Sequence, residues 1–189
     1  MRKLFGLACL IALAWSLSAS VWAADKPAGP CRLIDPSTCS SASELSRASG
    51  FTTALGHFVG DEKASYFSSK RSLSAQALSA FSGQQYNVVL LGNGRYLYSA
   101  CPARDCTGNA AAIVVDEYGK IEALGFSSFH CDTGCDDYRY LDIYVRKDGQ
   151  DDAVLAALKQ WGTSDRLRDV GRPGADDGID KRMDVHLLP

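Results

Sequence analysis

The spacing of apolar positions changes several times along this chain, and each change marks an element. Phe51, Leu55, Phe58 and Val59 recur at helical intervals and predict a short amphipathic helix over 51–59. Leu73, Ala77, Leu78 and Phe81 give a second helix or turn within 72–82. The pattern then becomes strand-like. Tyr86–Leu91 and Arg95–Cys101 flank Gly92-Asn93-Gly94, and Asn-Gly between two such runs signals a hairpin because both residues accept positive φ. Ala110–Asp116 and Lys120–Phe126 flank Glu117-Tyr118-Gly119 as a second hairpin, and Tyr138–Val145 adds a further alternating strand. Over 151–161, Val154, Leu155, Leu158 and Trp161 form one helical stripe behind Asp151 and Asp152, placed where a helix dipole favours anions. These elements predict an α+β fold, a central antiparallel sheet of about five strands with short helices packed on it.

The flanks read differently. Residues 24–50 are rich in Ser, Ala, Pro and Gly and predict a loosely ordered lead-in to a folded domain over 51–161. From Gly162 to Pro189 periodicity fades, which predicts a flexible C-terminal tail. At the start, Arg2 and Lys3 precede an apolar run from Leu4 to Leu17, followed by Val21-Trp22-Ala23. A basic stretch, a short apolar core and small residues before the cut describe a secretory signal peptide over 1–23, cleaved after Ala23. The run is too short for a comfortable membrane span, and no later segment offers one. A lipid anchor on Cys9 would leave almost no apolar core ahead of the cut. The expected location is therefore periplasmic or secreted.

Hydrophobic residues make up 46% of the chain and charged residues 22%, the composition of a globular domain rather than of a disordered or collagenous chain. Removing Arg2 and Lys3 leaves 18 basic against 22 acidic residues, a net charge of −4. That balance gives no footprint for nucleic acid and suits a basic partner. The leader also takes Cys9 with it, so six of the seven cysteines remain. An even count in an exported chain reads as disulfides, although sequence alone does not fix their connectivity. The cysteines fall into close pairs, and local pairing of Cys31 with Cys39, Cys101 with Cys106 and Cys131 with Cys135 is the simplest expectation. Such small rings fix loop shape more than they stabilise the fold, each contributing ~2 kcal/mol.

Motifs for enzymatic chemistry are missing. The chain has no Gly-x-Ser-x-Gly elbow, no phosphate-binding Gly-x-x-x-x-Gly-Lys loop and no Cys-x-x-Cys. The three histidines, His57, His130 and His186, are scattered, with His57 read as a packing or surface residue and His186 placed in the frayed tail. Asp136-Asp137, Asp151-Asp152 and Asp176-Asp177 read as solvated turns or helix starts, and the aspartates of 175–180 lack calcium-loop spacing. His130 with Cys131 and Cys135 is the one metal-like grouping, and it lacks a second ligand pair. The expectation is a protein that is not an enzyme and needs no metal or other cofactor.

The hexapeptide Cys101-Pro102-Ala103-Arg104-Asp105-Cys106 sits between two predicted strands. Closed by a disulfide, with Pro102 fixing φ, it would be a stiff protrusion presenting Arg104 and Asp105, and stiffness lowers the ordering cost of binding. It could equally be a hairpin staple whose polar tip faces water. The stretch Tyr96–Cys106, followed by Ala112-Ile113-Val114-Val115, resembles the periplasmic inhibitors of vertebrate lysozyme, the Ivy family, whose loop reads Cys-Lys-Pro-His-Asp-Cys after a tyrosine-bearing strand. The resemblance extends over about residues 45–160, including 51–59 and Gly149–Leu158, with the loop as its one specific motif. It implies a central antiparallel sheet whose disulfide loop plugs a lysozyme cleft, with Pro102, Ala103, Arg104 and Asp105 as the partner-binding residues. Here Arg104 stands where the family has the histidine inserted between the catalytic carboxylates, the proline is displaced to Pro102, and Cys31/Cys39 and Cys131/Cys135 are additions. The expected function is an exported inhibitor of a lysozyme-like glycoside hydrolase, host or bacterial. The alternatives are an immunity or interaction module of the same fold binding another wall hydrolase or envelope component, and a small enzyme or metal protein using His130, Cys131 and Cys135. A homodimer remains open.

Overall fold

The computed structural model describes residues 29–168 and 178–189; the expected signal peptide and Asp176-Asp177 lie outside the described residues. After one 3-10 turn at Pro36–Thr38 come α1 (Ala42–Arg47), α2 (Phe51–Val59), β1 (Lys63–Ala64), β2 (Arg71–Ser72), α3 (Leu73–Phe81), β3 (Gln84–Gln85) and β4 (Val89–Leu90). The chain continues through β5 (Tyr96–Cys101), β6 (Ala110–Val115), β7 (Ile121–Ser128), β8 (Tyr140–Arg146), α4 (Asp152–Gly162), α5 (Asp165–Arg168) and β9 (Met183–Leu188). The fold is α+β. Strands β1 and β2 form a small ribbon, and the main sheet has seven strands in the order β3-β5-β6-β7-β8-β9, with β4 also pairing β5.

The expected hairpins form for the expected reason. Asn93 and Gly94 both have positive φ, and Leu91 N–H donates to the Arg95 carbonyl across the turn. The Tyr86–Leu91 run yields only the two-residue β4, flanked by the equally short β3. Strand β6 (AAAIVV) is buried throughout because helices cover both sheet faces. Ala111, Ile113 and Val115 pack beneath α1–α3, while Ala112 and Val114 pack beneath α4. Helix α4 starts as its sequence suggests: the Asp151 carboxylate accepts from Ala153 and Val154 N–H groups and from Arg95, 2.8 Å away. Among the described residues, no helix is long and apolar enough to cross a membrane.

Both flanks depart from expectation. The part of the lead-in seen here is ordered rather than loose. Ser41 caps α1 by accepting from Glu44 N–H, and Glu44 in turn accepts from Ser40 N–H. Ser41-x-x-Glu44 is a helix start signal hidden within a Ser/Ala-rich segment, with the glutamate here reaching back one residue beyond the cap. Ala42 and Leu45 enter the core, and the buried Tyr98 hydroxyl donates to the Pro36 carbonyl at 2.5 Å. Nor is the described C-terminal segment a flexible tail. Strand β9 pairs in parallel with β8 from Leu141↔Met183 to Arg146↔Leu188, so the sheet is mixed rather than purely antiparallel. Parallel neighbours need a crossover, and α4 supplies it.

Candidate functional site

Antiparallel register places three connections at one end of the sheet: the 102–109 loop after β5, the 129–139 loop after β7, and the approach to β9. Each cysteine pair is closed as expected: Cys31–Cys39, Cys101–Cys106 and Cys131–Cys135. Cys131 and Cys135 therefore offer no thiolate to a metal.

In the first loop, Asp105 N–H donates to the Pro102 carbonyl at 3.0 Å, making a tight turn with Ala103 and Arg104 at its corners. Cys101 is buried, Pro102 is half-buried, and Ala103, Arg104 and Asp105 are exposed. Arg104 has no hydrogen-bond or ion-pair partner among the described residues. Asp105, though exposed as expected, is also tied to its own loop. Thr107 Oγ1 donates to its Oδ1 at 2.9 Å and Asn109 Nδ2 donates to its Oδ2, so this carboxylate holds the loop's own shape. The stem is braced from two sides. A Cβ on Gly83 would come within 2.1 Å of the Cys101 carbonyl oxygen, so glycine lets the preceding chain lie against the stem. On the other side Ser127 Oγ donates to the Gly108 carbonyl and accepts from buried Arg139 at 2.8 Å.

The second feature was not legible in the sequence. Asp142 on β8 is only 3% exposed. His130 Nε2 contacts its Oδ2 at 2.7 Å and His186 Nε2 contacts its Oδ1 at 2.7 Å. His130 arrives from the 129–139 loop with φ of 47°, a left-handed conformation rare for such a residue. His186 arrives from β9, where it stacks on Tyr144. The Tyr66 hydroxyl lies 2.5 Å from that of Tyr144, and burial pushes Tyr144 up to about 12. Among the described residues no group of three or more His, Cys, Asp or Glu side chains is arranged to hold a metal. The arrangement is instead an ionic clamp between the β7–β8 loop, β8 and β9.

The clamp has a pH window. Burial alone would raise Asp142, but hydrogen bonds and charge from His130 and His186 outweigh it and hold the carboxyl below its usual 3.8. Asp142 raises His186 above its usual 6.5, with Asp184 and Glu62 adding to the effect against burial. A lowered carboxyl contributes stability above its unfolded pKa that is lost on acidification. A raised imidazole contributes stability below its unfolded pKa that is lost as pH climbs through the raised value. Urea midpoints are therefore expected to peak at roughly pH 5–6 and to fall by pH ~9. His186→Gln is expected to flatten the alkaline fall; a variant with an unchanged alkaline limb would exclude His186 as its source. No family model, no curated protein and no solved structure matches this chain.

Proposed function

We propose that this protein is an exported, non-enzymatic inhibitor of a lysozyme-like muramidase, and that it inserts the Cys101–Cys106 loop into the catalytic cleft. The observation that carries this reading is Arg104: an unpartnered guanidinium at the corner of a turn that is closed by a disulfide and braced from behind. Muramidases of this kind work with two carboxyl groups, one protonated and one ionised, on either side of the scissile bond. A guanidinium remains charged and offers five donors in a planar fork, which suits a carboxylate pair. The fixed turn lowers the entropy lost on insertion. The exposed acidic run around Asp136-Asp137 on the neighbouring loop and the net charge of −4 after leader removal favour a basic target.

The test is lysis of peptidoglycan by lysozymes of several classes and by bacterial muramidases, each titrated with the exported protein. Stoichiometric inhibition of at least one is expected; folded protein that inhibits none overturns the proposal. Cys101→Ser/Cys106→Ser is expected to lose roughly 2 kcal/mol of stability. It is also expected to inhibit at least about tenfold more weakly, because the freed turn must be ordered on binding. Equal inhibition by this variant would show that the bridge does not preorganise the loop.

A further inference from the structure

Helix α4 leaves part of its sheet face uncovered. Between it and the β4–β5 edge lies a cleft of about 340 Å³, at the small end of the roughly 300–1,000 Å³ range of ligand pockets. Val89, Leu91 and Leu97 line it from the sheet edge, Ala157 and Trp161 from α4, and Leu167 from α5. Two polar groups in this apolar setting lack a hydrogen-bond partner. Trp161 Nε1 is buried and donates to nothing among the described residues. The six-membered ring of the indole lies against Gly125, 3.2 Å from where a Cβ would sit, so its Nε1 edge turns away from β7. Arg166, also in the cleft wall, lies 4.7 Å over the Tyr86 ring and makes no ion pair among the described residues.

Each group asks for the same complement. A buried indole N–H without an acceptor is costly, and a guanidinium stacked face-on keeps its in-plane donors available. An apolar cleft lined by leucines favours an aliphatic body. We infer that the cleft binds a small amphiphilic anion of the medium-chain aliphatic carboxylate class. The tail packs against Leu91, Leu97 and Leu167, the head group pairs with Arg166, and a ligand oxygen accepts from Trp161 Nε1. This site uses none of the residues at the loop tip and stands whether or not the protein inhibits a muramidase.

A chain beginning at Ala24 retains Trp161 as its only tryptophan, since Trp15 and Trp22 precede it, so the site carries its own fluorophore. Sodium decanoate, titrated below its micelle concentration, is expected to shift Trp161 emission saturably, with one ligand per chain by calorimetry. Decanol, with the same tail and no charge, is expected to bind at least about tenfold more weakly. Exposed Arg166 can be changed without disturbing the core, and Arg166→Gln is expected to bring decanoate down to the level of decanol. Ala157→Phe, which fills the cleft from α4, abolishes binding of both. No saturable response to decanoate, equal binding of decanol, or undiminished decanoate binding by Arg166→Gln overturns the assignment.

Discussion

Asp142→Ala is expected to lower the free energy of unfolding by about 3 kcal/mol at pH ~6. The carboxylate is almost fully buried and bridges His130 and His186, each at 2.7 Å. Removing it strips both imidazoles of their acceptor and takes away the charge that favours the protonated form of His186. Costs for breaking a buried pair run to about 3–5 kcal/mol. The lower end applies because the histidine side chains are 31% and 40% exposed and water recovers part of the loss. Asp142→Asn keeps the shape and one acceptor oxygen, and is expected to cost about 1–2 kcal/mol. Urea denaturation at pH ~6 and ~9 separates the terms: the deficit of the alanine variant shrinks at the higher pH, where a neutral His186 loses less by its absence. A loss below about 1 kcal/mol at the lower pH would mean that β9 is held by its main-chain ladder alone.

This clamp also marks where sequence reasoning stops. The hairpins were legible because Asn93, Gly94 and Gly119 carry the positive φ that their turns require. The loop was legible because Cys101 and Cys106 announce a small ring. Strand β9 was not, since its apolar residues Val185 and Leu187 are half exposed, while Asp184 and His186 alternate with them on the opposite face of the sheet, Asp184 exposed and His186 half-buried. An edge strand that leaves apolar residues half exposed on one face and carries polar ones on the other lacks the usual signature, and its pairing partner is reached only through a helical crossover. Residues 130, 142 and 186 become neighbours through the parallel register Tyr144↔His186 and the left-handed turn at His130, neither of which is a local property. Asp105 shows a different limit of local reading. Its place beside Arg104 suggested a shared role, but Thr107 and Asn109, a turn further on, claim its oxygens.

Arg104→Ala is expected to weaken muramidase binding by more than about 2 kcal/mol, a loss of roughly 30-fold or more in Kd, as for a charged anchor buried at the centre of an interface. The side chain is exposed and makes no hydrogen bond or ion pair within the described chain, so its removal should leave unfolding free energy within about 0.5 kcal/mol of the parent. The affinity change is then free of any folding contribution. Arg104→Lys separates charge from shape. An ammonium keeps the attraction to a carboxylate pair but loses the planar fork, so it should recover part of the binding and no more. Asp105→Ala probes the support instead. It frees Thr107 and Asn109 and loosens the turn, so its cost should appear mainly as ordering on binding. It should therefore diminish in the variant lacking Cys101 and Cys106, whose turn is already loose. If Arg104→Ala changes Kd by less than about 0.5 kcal/mol against an enzyme that the parent inhibits, the tip is not the anchor. Inhibition would then have to be sought in the neighbouring Cys131–Cys135 loop at the same end of the sheet.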